Sequence, residues 1–232
     1  MHYATEKELE RLDKLAVQHG LEVRQMMELA GWHSIDLFRR LKINKKKNIT
    51  VVAGKGNKGG DGLCAARHLI NHGYAVTVVM VSAKISPDAE HQLKLLRKMK
   101  TRIIVFSSRK KKAMQTIGAA DYLIDALIGY HLQGAPRGDF KTLTELMNAV
   151  PGKIIAYDIP SGLNSTTGQC HEPTIRAMAT LTLGYPKQAF CTKPGQSASG
   201  TIFIGDIGIP AWLYDKVSAH SQPQFTNSLL RL

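Results

Sequence analysis

Apolar side chains along the first forty residues recur at helical spacing. Thr5 and Glu8 make a Thr-x-x-Glu capping pair ahead of Leu9, Leu12, Leu15 and Ala16, and Gly20 supplies a stop. A second helical pattern runs through Val23, Met26, Met27, Ala30, Ile35, Phe38 and Leu41, with the two methionines reading as adaptable core filler. From residue 49 the texture changes. Short β-branched runs at 49–53, 75–81, 102–106, 122–125 and 154–158 alternate with helical segments at 63–72, 88–99 and 140–150. Further strands are expected at 179–184 and 201–205. Continuous apolar strands alternating with helices predict a mostly parallel sheet covered on both faces. The expectation is therefore one α/β domain, doubly wound, with a helical extension over 1–42, a core over 48–212 and a tail over 213–232. No repeat, low-complexity tract or interdomain linker interrupts it.

Composition narrows the classes. The chain has 232 residues, of which 44% are hydrophobic and 21% charged, enough apolar content to exclude wholesale disorder. No apolar stretch approaches the roughly 18–20 residues a bilayer span needs. The opening residues, Met1 to Glu6, lack the apolar block of a secretory signal, so a cytoplasmic location is expected. Cys64, Cys170 and Cys191 are odd in number and show no Cys-x-x-Cys spacing. They read as inert thiols in a reducing compartment rather than as a disulfide framework or zinc site. A formal net charge of +13 suggests nucleic acid or an acidic membrane as partner. Its placement argues otherwise. Two acid-free windows, 42–58 and 94–112, hold close to half of the 31 basic residues, and the remainder is slightly acidic. Lys94, Arg97 and Lys98 fall together as an exposed helix face would, and Arg109 to Lys112 read as solvated charge. No aromatic-interleaved RNA motif accompanies them. Neither nucleic acid nor membrane is expected as a partner.

In doubly wound sheets, ligands sit beyond the carboxyl ends of the strands, near the point where strand order reverses. The first strand runs into residues 54–62, Gly-Lys-Gly-Asn-Lys-Gly-Gly-Asp-Gly, and then a helix. So many glycines predict positive φ, close backbone approach, and free amides able to hold an anion at a helix start. Gly54, Gly56 and Gly59 match G-x-G-x-x-G, but residues 80–86 lack the ribose-binding acid of a standard dinucleotide fold. No Gly-Lys-Ser/Thr follows, so this is not a Walker loop either. The fourth strand ends at Asp125 and the fifth at Asp158, followed by Pro160-Ser161-Gly162. An Asp after a strand often only caps its loop. Three such sites on one edge point to function.

These residues resemble a known family. Residues 56–62 are similar to the Gly-Asn-Asn-Gly-Gly-Asp-Gly loop of the NAD(P)H-hydrate epimerases, the YjeF N-terminal domain family. Residues 125–129 (Asp-Ala-Leu-Ile-Gly) and 158–163 (Asp-Ile-Pro-Ser-Gly-Leu) resemble two further signatures. Residues 26–31, 182–187 and 205–210 fit other family stretches, so the resemblance covers about residues 5–212 in the expected order. It implies a Rossmann-like three-layer fold and an isomerase that interconverts the R and S forms of hydrated NADH or NADPH. An NAD(P)H-hydrate dehydratase would be its pathway partner, and a homodimer its assembly. Carried over by position, substrate contacts fall on Asn57, Lys58, Gly59, Gly60, Asp61, Gly129, Tyr130, His131, Leu132, Gln133, Gly134, Ala135 and Asp158. Asp158 takes the catalytic role of general acid–base. Potassium-contacting positions fall on Lys58, Asp125 and Ser161.

The main departure is Lys58, where the family loop carries Asn. A protonated Lys is a cation with three donors and cannot ligate a metal ion. Three outcomes stay open: its ammonium replaces the potassium ion, it points outward to phosphate while the ion is kept, or the site is lost. His131 is a further candidate proton shuttle or simply a solvated loop residue. Lys187 reads as a structural or rim charge. A catalytically silent scaffold of the same fold, or an RNA-associated assembly domain, is the competing class.

Overall fold

The computed structural model describes residues 1–150, 153–219 and 221–232. Two helices open the chain, α1 (Glu6–Gln18) and α2 (Val23–Arg40). The capping pair forms as predicted: Thr5 Oγ1 accepts from the Glu8 amide, and Glu8 reaches back to the Thr5 amide at 2.7 Å. Gly20 ends α1 in the left-handed region, with φ of 94°.

The core alternates strand and helix: β1 (Asn48–Ala53), α3 (Asn57–Asn71), β2 (Ala75–Met80), α4 (Pro87–Lys98), β3 (Ile103–Val105), α5 (Lys110–Gly118), β4 (Tyr122–Ala126), α6 (Asp139–Ala149) and β5 (Lys153–Tyr157). Then come β6 (Ala179–Leu183), a short 3₁₀ turn over Gln188–Cys191, α7 (Lys193–Ser199), β7 (Thr201–Gly205), α8 (Ala211–Asp215) and β8 (Leu229–Arg231). The eight strands form one sheet in the order β3-β2-β1-β4-β5-β6-β7-β8. All neighbours are parallel except β7 and β8. Strand order reverses between β1 and β4, which is where a ligand crevice is expected in a doubly wound sheet.

Apolar burial builds the layers. Leu37 and Phe38 of α2, Leu63 and Leu69 of α3, and Leu93 and Leu96 of α4 pack on one face against Val51, Ile124 and Ile155. Ala113 and Ile117 of α5 with Leu143 and Met147 of α6 cover the other face, against Val52, Val79 and Leu123. Met26 and Met27 are buried, but they face a cavity rather than serving only as core filler. The basic windows are solvated along most of their length: Lys94, Arg97, Lys98 and Arg109 to Lys112 are exposed, whereas Lys58 is buried.

Three features differ from the sequence reading. Helix α3 begins at Asn57, inside the glycine run rather than at residue 63. None of the five glycines in that run has positive φ. Their use is close approach: a Cβ on Gly54 would lie 1.9 Å from the Leu127 carbonyl oxygen, and one on Gly59 2.4 Å from the Gly54 carbonyl oxygen. The stretch after residue 212 also joins the sheet, through the antiparallel edge strand β8, with Leu213 and Tyr214 of α8 buried. Among the described residues no helix is long and apolar enough to cross a membrane.

Candidate active site

Three loops leave the carboxyl edge of the sheet next to one another. The loop after β1 leads into α3, and Gly54 donates its amide to Ala126 O at 2.8 Å, tying it to the end of β4. The loop after β5 turns sharply. Asp158 has φ of 63°, and the Ile159 amide donates to Tyr157 O at 2.7 Å, making a three-residue turn about Asp158. Positive φ is uncommon outside glycine but tolerated best by Asp and Asn, and it recurs at functional turns.

Asp125 lies where these loops meet, fully buried. Its Oδ1 accepts from the Leu127 amide at 3.1 Å and from Ser161 Oγ at 2.6 Å. Its Oδ2 accepts from the Ser161 amide at 2.8 Å and from Lys58 Nζ at 3.1 Å. Four donors on two oxygens use every lone-pair site a carboxylate offers. The Lys58 side chain turns inward, and its three N–H donors are shared between Asp125 and three further oxygens, Ile128 O at 2.9 Å, Ile159 O at 2.7 Å and Ser161 Oγ at 3.1 Å. Ser161 Oγ additionally accepts from the Ile128 amide at 2.9 Å.

The ammonium is costly at this place. It sits at the start of α3, where the helix dipole disfavours a cation by about 0.3–1 kcal/mol. Burial pulls the Lys58 pKa down, opposed by the charges of Asp125, Asp158 and Asp61. What offsets these costs is the paired carboxylate with a full set of oxygen acceptors, the condition under which a buried charge is tolerated.

A second buried pair stands beside the first. Lys187 is 1% exposed and donates to Asp158 Oδ1, to Leu183 O at 3.1 Å and to Tyr185 O at 3.2 Å. It is not a rim charge. The N-terminal segment seals it: Ala4 bridges to Lys187 in parallel register, and the Ala4 amide donates to Pro186 O at 2.8 Å. Nearby, Tyr130 donates to Asp13 Oδ2 at 2.5 Å. Burial pushes the Asp13 carboxyl up, the Tyr130 hydrogen bond opposes this, and the Asp158 charge adds to it. Asp61 is pushed well up, chiefly by burial and then by the charges of Asp158 and Asp13. The site thus gathers three carboxyls in unequal environments. Asp158 has a lysine partner, and Asp61 is biased toward its protonated form.

These groups line a cavity of about 630 Å³. Its apolar wall comes from Leu9, Val23, Met26, Met27 and Ala30 of α1 and α2. The rest of the lining includes Lys55, Gly56, Asn57, Lys58, Asp61, Asp158 and Lys187, with residues 127–133 and 135–137. Of the positions expected from sequence, Asn57, Lys58, Asp61, Gly129, Tyr130, His131, Leu132, Gln133, Ala135 and Asp158 line it. Gly59, Gly60 and Gly134 do not. The first two pack α3 against Gly54 and Met27, and Gly134 turns its loop with φ of 71°. Asp125 and Ser161 do not line the cavity; both are fully buried and accept from Lys58 Nζ. His131 is exposed, its ring tilted at 44° against Tyr130 and 3.3 Å from Glu6. Sequence reasoning missed Asp13 and the burial of Lys187. The available signal for Asp13 was only an acid on the apolar side of α1.

Among the described residues, one cluster elsewhere brings three metal-competent donors within 4.8 Å, namely Glu28, Cys64 and His68. The Arg67 guanidinium occupies it, bonded to Glu28 and 3.4 Å from Cys64 Sγ. Burial pushes the Cys64 thiol up, consistent with an inert thiol.

Fold and site together define a doubly wound α/β protein with a ligand cavity at the switch point, floored by a helix N-terminus and paired buried charges. The chain belongs to the family described as YjeF-related protein N-terminus, whose model matches residues 23–189. The NAD(P)H-hydrate epimerase of Dehalogenimonas lykanthroporepellens is 35% identical over 231 residues, covering 97% of this chain and 90% of that protein. The protein of the same name from Lentilactobacillus buchneri is 36% identical over 205 residues, covering 85% and 89%. The bifunctional NAD(P)H-hydrate repair enzyme Nnr of Moorella thermoacetica is 34% identical over 217 residues, 90% of this chain. The chain spans only 41% of that bifunctional protein. The crystal structure of yeast ynu0 superposes with a TM-score of 0.87 over 100% of both chains at 24% identity, a likeness of fold.

Proposed function

We propose that the protein is an NAD(P)H-hydrate epimerase, interconverting the R and S forms of NADH or NADPH that carry an added water on the nicotinamide ring. The observation that carries this reading is the placement of Asp158. It sits on a positive-φ turn and lines the cavity that the start of α3 also lines. The amides of that helix start, with Lys55 at the rim, suit the substrate's phosphates. The nicotinamide end would then reach the Asp158–Lys187 floor.

Epimerisation needs the bond between the ring carbon and its hydroxyl oxygen to break and re-form on the other face. Protonation of that oxygen lets it leave as water, and the ring nitrogen's electron pair stabilises the cation left behind. Water then adds to the opposite face and returns one proton to the protein. Asp158 is suited to exchange this proton and to stabilise the ring cation by its charge. Asp61, biased toward its protonated form, supplies a second proton carrier in the same cavity. An S-specific dehydratase acting next would draw the interconversion forward, and fusion of two activities in the relative named bifunctional fits that order. Pairing with a second copy, implied by the family resemblance, is read by sedimentation.

The test supplies purified R-hydrate of NADH and NADPH and follows S-hydrate by chromatography, with the spontaneous rate subtracted. Conversion above background is expected, and Asp158→Asn should lower it by about 10²–10⁴-fold. No conversion above background would favour the silent-scaffold reading. Near-normal conversion by Asp158→Asn would remove that residue from the chemistry.

A further inference from the structure

The resemblance implies a potassium ion held by the positions of Lys58, Asp125 and Ser161, and the residues present do not fit one. The point on which Asp125 Oδ2, Ile128 O, Ile159 O and Ser161 Oγ converge is taken by Lys58 Nζ, at 3.1, 2.9, 2.7 and 3.1 Å. The surrounding oxygens are committed as well. Asp125 accepts four donors, and the Ser161 hydroxyl gives its proton to Asp125 while accepting from Lys58 and the Ile128 amide. A metal ion added here would meet an ammonium at contact distance and share one carboxylate with it.

We infer that the Lys58 ammonium is a covalently tethered substitute for a bound monovalent cation, so that the site is assembled without potassium. Charge is conserved in the exchange. An uncharged side chain with a free cation and a charged side chain without one both place a single positive charge against Asp125. Geometry is conserved too, because the ammonium gathers oxygens from the end of β4, the loop after it and the loop after β5, as an ion would, while its own stem belongs to the first turn of α3. Lys58 is therefore a positioning residue: it joins helix α3, which carries Asp61, to the two loops that carry Gly129 and Asp158. The advantage over a free ion is that the cation's local concentration is fixed by the chain, and site assembly no longer follows the salt around it. This inference concerns the same site as the proposed epimerase and takes the site's cation from the resemblance. Its test uses no turnover, so the two fail separately.

The experiment has two readouts. Wild-type crystals and Lys58→Asn crystals are soaked in rubidium chloride, and anomalous maps are calculated. No rubidium peak is expected among Asp125, Ile128, Ile159 and Ser161 in the wild type, and a peak is expected in Lys58→Asn. In solution, melting temperatures are measured in potassium, sodium and choline chloride at matched ionic strength. The wild type should melt at the same temperature in all three. Lys58→Asn should melt lower in choline and recover saturably with potassium, as linkage requires of an ion that binds only the native state. A residue that was merely structural would give a loss with no potassium-specific recovery, and that result overturns the inference. So does a rubidium peak in the wild-type cage with Lys58 displaced, or a potassium-specific rise in the wild-type melting temperature. Should Lys58→Asn fail to fold, the wild-type soak and salt series still decide.

Discussion

Replacing Lys187 with Met tests whether the Asp158 turn depends on its buried counter-charge. Methionine keeps most of the apolar stem and removes only the ammonium. The ammonium donates to Asp158, Leu183 O and Tyr185 O, and its residue is 1% exposed. Its loss leaves Asp158, itself only 7% exposed, without its counter-charge and with only the Leu183 amide at 3.4 Å, and removing one member of a buried pair costs about 3–5 kcal/mol. That is a large share of the roughly 5–15 kcal/mol that stabilises a typical domain. At about 2–4 °C per kcal/mol for a chain of this size, the melting temperature should fall by about 6–20 °C. Urea unfolding of wild type, Lys187→Met, Asp158→Asn and the double variant forms a double-mutant cycle. The double variant should recover much of the loss, because neither charge is then buried alone. Two results would refute the reasoning: a Lys187→Met loss below about 1 kcal/mol, or single effects that add within about 0.5 kcal/mol. The same substitution has a titration signature. Lys187 lowers both the Asp13 and Asp61 carboxyls, so its removal should move their protonation to higher pH.

Further outcomes follow from the cavity and its glycines. Gly59→Ala should lose about 1–3 kcal/mol or more in urea unfolding, since its Cβ meets backbone at 2.4 Å. Gly56→Ala, with nothing within 4 Å, should stay within about 1 kcal/mol of wild type. Asp13, its carboxyl raised by burial, favours folding fully below its unfolded value near 3.9, and that contribution fades as pH rises through the raised value. Asp13→Asn, neutral throughout, should therefore gain in urea midpoint over wild type as pH climbs from about 4 to 8; an opposite slope would contradict the assignment. In native protein a disulfide reagent should modify exposed Cys191 first, and buried Cys64 only on unfolding.

Much of this structure is written in local signals. The Thr5–Glu8 box, the period change near residue 49, and the three signatures at 56–62, 125–129 and 158–163 located the extension, the sheet and the floor of the cavity. The start of α3 was misplaced because glycine disfavours helix interiors, and only the contacts of Gly54 and Gly59 with neighbouring backbone override that propensity. Lys187 reads from sequence as a structural or a rim charge, and its burial selects the structural alternative. A lysine in a strand-to-helix connection is ordinarily solvated, but this one is held by Asp158, Leu183 O and Tyr185 O, and Ala4, remote in sequence, bridges to its backbone. Strand β8 offers three residues and no alternation, so its pairing with β7 depends on the sheet edge already being there. Lys58 could be singled out from sequence as a departure, but the direction of its side chain could not.

The apolar side of the cavity belongs to residues 9–30, whereas the charged floor belongs to residues more than twenty positions further on. Residues 23–30 of the wall lie on α2, held to the sheet by Tyr157 Oη donating to Ala30 O at 2.9 Å, but α1 rests on other supports. Residues 55–61, 158 and 187 hang from the sheet and its buried lysines, while α1 is secured by α8, by the Ala4 bridge and by the cluster of Leu9, Leu12, Tyr185 and Leu213. Detachment of α1 would uncover the cavity while the eight strands stay paired. Local opening of this kind has its own free energy, smaller than that of global unfolding. Amides of α1 should therefore exchange with deuterium before those of β1 and β4, and an occupant spanning wall and floor would slow that exchange. On this view the helical preface sets how long a ligand stays, and the sheet edge sets what happens to it.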